Sequence, residues 1–267
     1  MIATFNELKA LSNEVIARQI IMEYFSYSML EYSVARANVI NPSDKIKLLS
    51  IANEYKNGTP LQYIFSKTYI KDLEFKCAKG VLIPRNDTEI LIDLAINLIN
   101  QNNIKNIFEI GFGSGIISIF LKLFTKANIK ACDINKLALK LANENAKLHN
   151  INCDFFISDF MKVNFKDYEL IISNPPYIST EYNLDKSVLK EPKTALFGGK
   201  KGYEILFKII DKCYLENVRF LMCEFGYDQK EILNDYLKEK NFKASFYKDL
   251  NGFDRVFIAE RLDYEKN

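Results

Sequence analysis

Ile107-Phe108-Glu109-Ile110-Gly111-Phe112-Gly113-Ser114-Gly115 is the stretch whose reading decides the fold. Residues 106–110 read as a short apolar strand, and the glycines turn the chain from it into a helix expected over 114–124. Glycine suits such a turn because the backbone must bend tightly and let a ligand approach with no Cβ in the way. In open α/β sheets, ligands bind beyond the carboxyl ends of the strands, where this loop lies. Asp133 ends the next strand candidate, 129–133, and a carboxylate there can accept both ribose hydroxyls of an adenosine cofactor. A dinucleotide fingerprint, GxGxxG, requires glycine at position 116, where the chain has Ile116. The GxGxG form with a later acidic residue suits a cofactor without a diphosphate, although a lone glycine loop is also compatible with a plain tight turn.

Working outward, a strand–helix alternation runs from Pro84 onward. Ile90, Leu91, Leu94, Ala95 and Leu98 give a helical stripe. Further strands are expected at 154–157, 169–173, 219–225, 243–248 and 254–259, with helices at 135–148, 202–215 and 228–239. This alternation predicts an α/β fold with a largely parallel, Rossmann-like sheet covered by helices on both faces. Only Asp249 to Phe253 join the last two strands, too few residues for a crossover helix, so that pair is expected to be an antiparallel hairpin.

Asn174-Pro175-Pro176-Tyr177 follows the strand candidate 169–173 directly and is expected at the same sheet edge as the glycine loop. Prolines can simply stop a strand and a tyrosine can simply pack. That reading leaves Asn174 unexplained. An amide or exocyclic amine nitrogen is a poor nucleophile because its lone pair is delocalised. Asn174 Oδ1 and the Pro175 carbonyl can each accept one N–H of such a group, turning the lone pair toward an electrophile and stabilising the positive charge that develops. Proline keeps the arrangement rigid, and Tyr177 offers a flat ring to stack on. The two motifs together point to methyl transfer onto a planar nitrogen.

Before this domain, residues 3–56 read as helical, with a capping box expected from Thr4 and Glu7. A helix from about Ser43 to Lys56 would present Ile46, Leu49 and Ala52 or Asn53 on one face and stop at Asn57-Gly58. Residues 62–78 read as a short hairpin. The expected organisation is a helical substrate-recognition domain over 1–60, a β-hairpin linker over 61–80 and a catalytic domain over 81–267.

The composition, 48% hydrophobic and 26% charged, is that of a globular domain with a sizeable core. The formal net charge of +2 gives no strong field for holding nucleic acid. Residues 1–65 carry six basic side chains (Lys9, Arg18, Arg36, Lys45, Lys47, Lys56) and six acidic ones (Glu7, Glu14, Glu23, Glu31, Asp44, Glu54), so direct nucleic-acid binding is not expected. Cys77, Cys132, Cys153, Cys213 and Cys223 show no CxxC spacing, and with one histidine no metal site is expected. Charges punctuate the first nineteen residues, and no uncharged apolar run approaches the ~20 residues of a membrane helix. These features predict reduced thiols, no membrane association and a cytoplasmic location.

Taken together, these segments resemble the release factor glutamine methyltransferases (the PrmC/HemK family) over nearly the whole chain. Matching stretches include 58–64 (Gly-Thr-Pro-Leu-Gln-Tyr-Ile), 81–89 (Val-Leu-Ile-Pro-Arg-Asn-Asp-Thr-Glu), Ser158-Asp159-Phe160, and Glu191-Pro192 to Gly198-Gly199. Cys223 to Gly226 and Asp249 with Gly252, Asp254 and Arg255 complete the pattern. The resemblance implies that S-adenosylmethionine is the cofactor and that the acceptor is the glutamine of the Gly-Gly-Gln loop in peptide chain release factors. It also implies that Gly111, Phe112, Gly113, Ser114, Gly115, Asp133, Phe160 and Asn174 contact the cofactor, while Asn174, Pro175, Pro176 and Tyr177 hold the glutamine. Phe160 also offers an aromatic wall for the adenine ring. The chain departs from the family pattern at Asn86, Phe112 and Lys201. A bulky Phe112 in the glycine loop must point away from the ligand.

Other residues stay outside the expected site. His149 reads as a helix-end residue, Arg85 as an active-site residue or an ion pair, and Glu224 as a ligand or a structural carboxylate. Residues 260–267 read as a solvated tail. Two alternatives to glutamine methylation are an amino-methyltransferase acting on an exocyclic amine of DNA or RNA and a cofactor-binding module without catalysis.

Overall fold

The computed structural model of the chain describes residues 1–264, so the end of the expected tail, 265–267, lies outside the described residues. The chain divides into two compact units. One is Met1–Lys67 with Leu184–Lys190; the other is Thr68–Asn183 with the chain from Glu191 onward.

The first unit contains α1 (Ile2–Leu11), α2 (Glu14–Phe25), α3 (Met29–Ala35), α4 (Pro42–Lys56) and the single turn α5 (Leu61–Ile64). Asn13, Ser28 and Asn41 cap α2, α3 and α4 by accepting from backbone N–H groups of the first turn. The capping box belongs to Ser28 and Glu31 rather than to Thr4 and Glu7. α1 begins at Ile2, which puts Thr4 inside its first turn, buried and unable to cap. Ser26, left-handed at φ 55°, divides α2 from α3. α4 turns Leu48 and Ala52 inward and leaves Ile46 exposed, so its inner face is rotated from the expected one. Leu8, Ile20, Ile21 and Tyr32 complete this core.

From its first residue, Thr68, the second unit carries all but Lys67 of the two-stranded sheet of β1 (Lys67–Ile70) and β2 (Leu73–Lys76). Lys71 and Asp72 both take positive φ, as a two-residue hairpin turn requires. Then come α6 (Thr88–Asn102), β3 (Asn106–Ile110), α7 (Ile116–Phe124), β4 (Asn128–Asp133), α8 (Lys136–Leu148), β5 (Asp154–Ile157) and β6 (Leu170–Ser173). After these follow β7 (Ile178–Ser179), α9 (Lys193–Leu196), β8 (Phe197–Gly199), α10 (Glu204–Leu215), β9 (Phe220–Glu224), α11 (Lys230–Glu239), β10 (Phe242–Lys248) and β11 (Asp254–Arg261). Leu91, Ile92, Ala95 and Ile99 form the fully buried stripe of α6, and the expected Ile90, Leu94 and Leu98 pack partly buried beside it.

Seven strands form one sheet in the order β10-β11-β9-β6-β3-β4-β5. β11 is antiparallel to both neighbours and the remaining pairs are parallel, an α/β Rossmann-like class I fold ending in an antiparallel hairpin. The strands are apolar on both faces because helices cover both. Ile107, Leu170 and Ile172 face α6 and α7, whereas Phe108, Ile171 and Leu221 face α10 and α11. From β3 the chain proceeds outward through β4 to β5 and then returns to place β6 on the other side of β3. The strand order therefore reverses between β3 and β6, and the crevice outside their carboxyl ends is where such sheets bind ligands. Glu260 and Arg261 belong to β11, with Glu260 paired to Phe220, so the expected tail is ordered strand at its start.

Candidate active site

The two strand ends flanking this crevice are fastened together. Ile110 and Ser173 are paired in register, and Ser173 Oγ donates to the Ile110 carbonyl at 2.8 Å. The loops that leave them, 111–115 and 174–177, therefore start from one rigid edge. A cavity of about 340 Å³ opens there, lined by Gly111, Gly113, Asp133, Phe160, Asn174, Pro175 and Pro176 among others. A smaller recess of about 40 Å³ shares Gly111, Gly113 and Asn174 and adds Arg85, Thr88, Glu109, Phe112 and Ser114.

The glycines do different work. Gly111 and Gly113 take positive φ (73° and 52°), and a Cβ built on either would meet nothing within 4 Å, so their backbones face open space. A Cβ on Gly115 would lie 3.1 Å from both Ala142 and Phe155, which makes Gly115 the point where α7 packs closely on its neighbours. Neither cavity is lined by Gly115. The ring of Phe112 is buried against Phe155, with centroids 4.7 Å apart. The Ser114 carbonyl accepts from Asn145 Nδ2 at 2.9 Å.

Asp133 Oδ2 accepts from Gly113 N at 2.9 Å and Oδ1 from Asn135 N at 2.8 Å. One lone pair on each oxygen remains for a ligand's hydroxyls. Burial holds this carboxyl above the ordinary aspartate range, against the lowering effect of the backbone donors. Phe160 begins a 3-10 turn, Phe160–Lys162, which Asp159 caps by accepting from Met161 N at 3.0 Å.

Asn174 lines both cavities, and its Nδ2 donates to Thr88 Oγ1 at 3.0 Å. Thr88 Oγ1 in turn donates to Glu224 Oε2 at 2.8 Å, and Tyr177 OH donates to Glu224 Oε1 at 2.9 Å. Tyr177 is thus turned to Glu224 rather than to the cavity, whose lining does not include it. Its backbone is held as well, since Gln229 Nε2 donates to the Tyr177 carbonyl at 2.8 Å. β7 and β8 pair in parallel and bring Gly198 and Gly202 against the carbonyls of Pro176 and Tyr177.

Thr88 and Glu191 stand in the matching stretches of the sequence but carried no individual role there. Glu191 is buried, and its Oε2 accepts from Ile83 N at 2.9 Å while Oε1 pairs with Arg85. Arg85 is therefore one half of an ion pair. Glu224 is buried under Thr88 and Tyr177. His149 caps α8 and contacts the Glu74 carbonyl through Nε2 at 2.8 Å. Among the described residues, no cluster of three or more His, Cys, Asp or Glu is placed to hold a metal ion. No helix of these residues is long and apolar enough to cross a membrane.

Glu109 has a distinct character. Its Oε2 accepts from Ser118 N at 3.0 Å and from Ser118 Oγ, while its buried Oε1 has no partner. Burial pushes its pKa up to about 7, with Asp133 adding to the rise and Ser118 opposing it. The folded state therefore holds a proton that the unfolded chain releases between the ordinary glutamate pKa, ~4.3, and about 7. Stability falls as pH rises through that window, by about 3–4 kcal/mol in all. Glu109→Gln should accordingly be more stable than the parent at pH 8, with the advantage fading toward pH 4.5. Chemical denaturation at the two pH values measures this, and a pH-independent difference would contradict it.

A family model described as "Methyltransferase small domain" matches residues 86–200. Proteins described as "Release factor glutamine methyltransferase" align along most of the chain. The one from Dictyoglomus turgidum is 45% identical over 229 residues, covering 82% of this chain and 76% of its own length. That from Aquifex aeolicus is 39% identical over 216 residues, covering 78% and 77%. Among solved structures, the human METTL16 catalytic domain in complex with the MAT2A 3'UTR hairpin 6 superposes with a TM-score of 0.58 at 14% identity, covering 85% of each chain. The human methyltransferase 10 domain containing protein gives 0.51 at 16% identity, covering 68% of this chain and 86% of its own. The two structures share the fold alone. The sequence relatives go further, each matched over more than two thirds of its own length, and this chain belongs to the release factor glutamine methyltransferase family.

Proposed function

We propose that this chain methylates the side-chain amide nitrogen of the glutamine in the Gly-Gly-Gln loop of peptide chain release factors, with S-adenosylmethionine as the methyl donor. The observation that carries the reading is the orientation of Asn174: its amide nitrogen is engaged by Thr88, which leaves Oδ1 as the free end of a side chain that lines the cavity.

The residues present fit the donor. Its charge is positive at the ammonium and the sulfonium, and Glu109, which ionises near neutral pH, has a buried oxygen without a partner beside the glycine loop, where a bound cation would favour its ionised form. The bare backbones of Gly111 and Gly113 leave room for close approach. Asp133 has lone pairs for the ribose hydroxyls, and Phe160 provides an apolar wall for the adenine. Phe112 packed on Phe155, Ser114 bonded to Asn145 and Gly115 close to Ala142 hold the loop in shape, and Phe112 and Ser114 also line the smaller recess. S-adenosylmethionine supplies, when bound, a methyl group on a sulfonium, an electrophile that needs no further activation.

What remains for the protein is to position and tune the nucleophile. Asn174 Oδ1 and the Pro175 carbonyl accept the two N–H groups of the glutamine amide. Both N–H bonds grow more acidic as the nitrogen gains positive charge, so these two contacts strengthen toward the transition state. Pro175 and Pro176 fix the backbone, and Tyr177 holds the segment through Glu224. No strong base is required, because the alkylated nitrogen sheds its proton readily. We assign release factor recognition to the helical domain, 1–60, linked by 61–80 to the catalytic domain, 81–267. Its balanced charge supports a protein partner over a nucleic acid.

The test supplies methyl-labelled S-adenosylmethionine with a release factor, the same factor with its Gly-Gly-Gln glutamine changed to alanine, or duplex DNA. Label is expected in the intact factor alone. Label in DNA but not in the factor, or label persisting in the alanine variant, would overturn the reading.

A further inference from the structure

Asn174 can accept an amide N–H only if its carboxamide is turned the right way round. Rotation by 180° about its last side-chain bond would present NH2 to the acceptor's own NH2, a donor facing a donor. The structure contains the device that fixes this choice. Thr88 Oγ1 has a single proton, which it gives to Glu224 Oε2 at 2.8 Å. Only its lone pairs are left to face Asn174, and these can receive Nδ2 but not Oδ1. Glu224 also receives the Tyr177 hydroxyl at 2.9 Å. One buried carboxylate at the end of β9 thus anchors both ends of the Asn174–Tyr177 segment, one directly and one through Thr88 at the start of α6.

We propose that Thr88 and Glu224 form a polarity relay in which ionised Glu224, acting through Thr88, locks the Asn174 carboxamide in its acceptor-out orientation. Both are positioning residues. The proposal rests on the glutamine-methylation reading and adds to it the group that sets the orientation of the substrate-facing amide.

The relay reverses if Glu224 takes up a proton. A neutral carboxyl can donate to Thr88, whose own proton is then free for Asn174 Oδ1, and the carboxamide is released to flip. Thr88, Tyr177, Arg255 and Asp87 face this carboxyl. Burial raises its pKa above the ordinary range. The Thr88 and Tyr177 bonds and the Arg255 charge favour the ionised form, and Asp87 opposes it. Arg255 is in turn held by Asp249, its Nε donating to Oδ2 at 3.0 Å. Turnover is therefore full above the folded-state pKa of Glu224 and falls as pH drops through it.

Three variants separate the relay from simple packing. Thr88→Val keeps the shape and removes the hydroxyl, and kcat should fall roughly 10–100-fold with the KM for S-adenosylmethionine changed less than threefold. Thr88→Ser restores the hydroxyl and should return kcat to within about threefold of the parent. Glu224→Gln cannot titrate in this range, so the acid limb of its pH profile should disappear. Full kcat in Thr88→Val, or an unaltered acid limb in Glu224→Gln, would overturn the proposal. A second readout needs no acceptor: the Asn174 side-chain NH2 resonance, assigned by its loss in Asn174→Ala, should shift as Glu224 titrates in the parent but not in Glu224→Gln. If the parent fails to methylate a release factor, the functional reading fails and this resonance still decides the relay. An Asn174 resonance indifferent to pH in the parent would eliminate it.

Discussion

Asn174→Ala should lower the turnover number for release factor methylation by about 100–1000-fold, the usual consequence of deleting one preorganised group that meets developing charge. The affinity for S-adenosylmethionine should stay within about tenfold of the parent, because the contacts we assign to the donor lie on other residues. Asp133 is positioned by Gly113 and Asn135, and Glu109 by Ser118, all without help from Asn174. The fold should persist, since the side chain is half-buried and its bond to Thr88 lies at the cavity wall. Equilibrium binding of the donor together with single-turnover methyl transfer separates the two effects. Unchanged turnover would remove Asn174 from the chemistry, and loss of donor binding in proportion to rate would make it a cofactor residue alone.

Gly198→Ala should be the most damaging change outside the cavity. A Cβ at this position would sit 2.0 Å from the Gly202 carbonyl oxygen and 2.4 Å from that of Pro176, both backbone atoms that cannot swing aside. A Cβ on Gly202 would likewise lie 2.5 Å from the Tyr177 carbonyl. These glycines are what allow β8 and the turn after it to lie flush against the 174–177 segment. The variant must push that segment outward or unpair β7 from β8. Overpacking of this kind costs about 1–3 kcal/mol or more. A displacement near 1 Å at the nucleophile's binding group costs about 100-fold in rate. Urea denaturation and kcat measured on the same preparation should show both losses, with donor affinity affected far less. A variant with the parent's denaturation midpoint and turnover would mean that the segment is not held in this way.

Much of the catalytic unit was legible because its signals are local. A strand, its glycine turn and the following helix occupy adjacent residues, as do the strand over 170–173 and the Asn-Pro-Pro-Tyr segment that leaves it. The short link between β10 and β11 forces an antiparallel pair through chain geometry alone. The inward faces of helices were less legible. Ile46 and Leu48 are equally apolar, and only the packing of α4 on Leu8 and Ile20 buries the second and exposes the first. Tyr177 is a comparable case. Its ring suggested stacking on a substrate, whereas its hydroxyl reaches Glu224, and nothing near position 177 in sequence announces that partner.

The sequence by itself determined the main alternation of strands and helices, though not β7, α9 and β8, together with the two loops that meet at one edge of the sheet and the chemistry those loops can support. All of that follows from backbone preferences and side-chain types within a dozen residues of each other. Only the tertiary structure decided how the groups are held. Thr88 meets Asn174 across 86 positions and Glu224 across 136, and Ile83 meets Glu191 across 108. Such partners are chosen by the return of β6 to the side of β3. The charge state of Glu109 and Glu224 depends on how much water the folded chain excludes around them, a quantity that exists only once the sheet and its covering helices have closed.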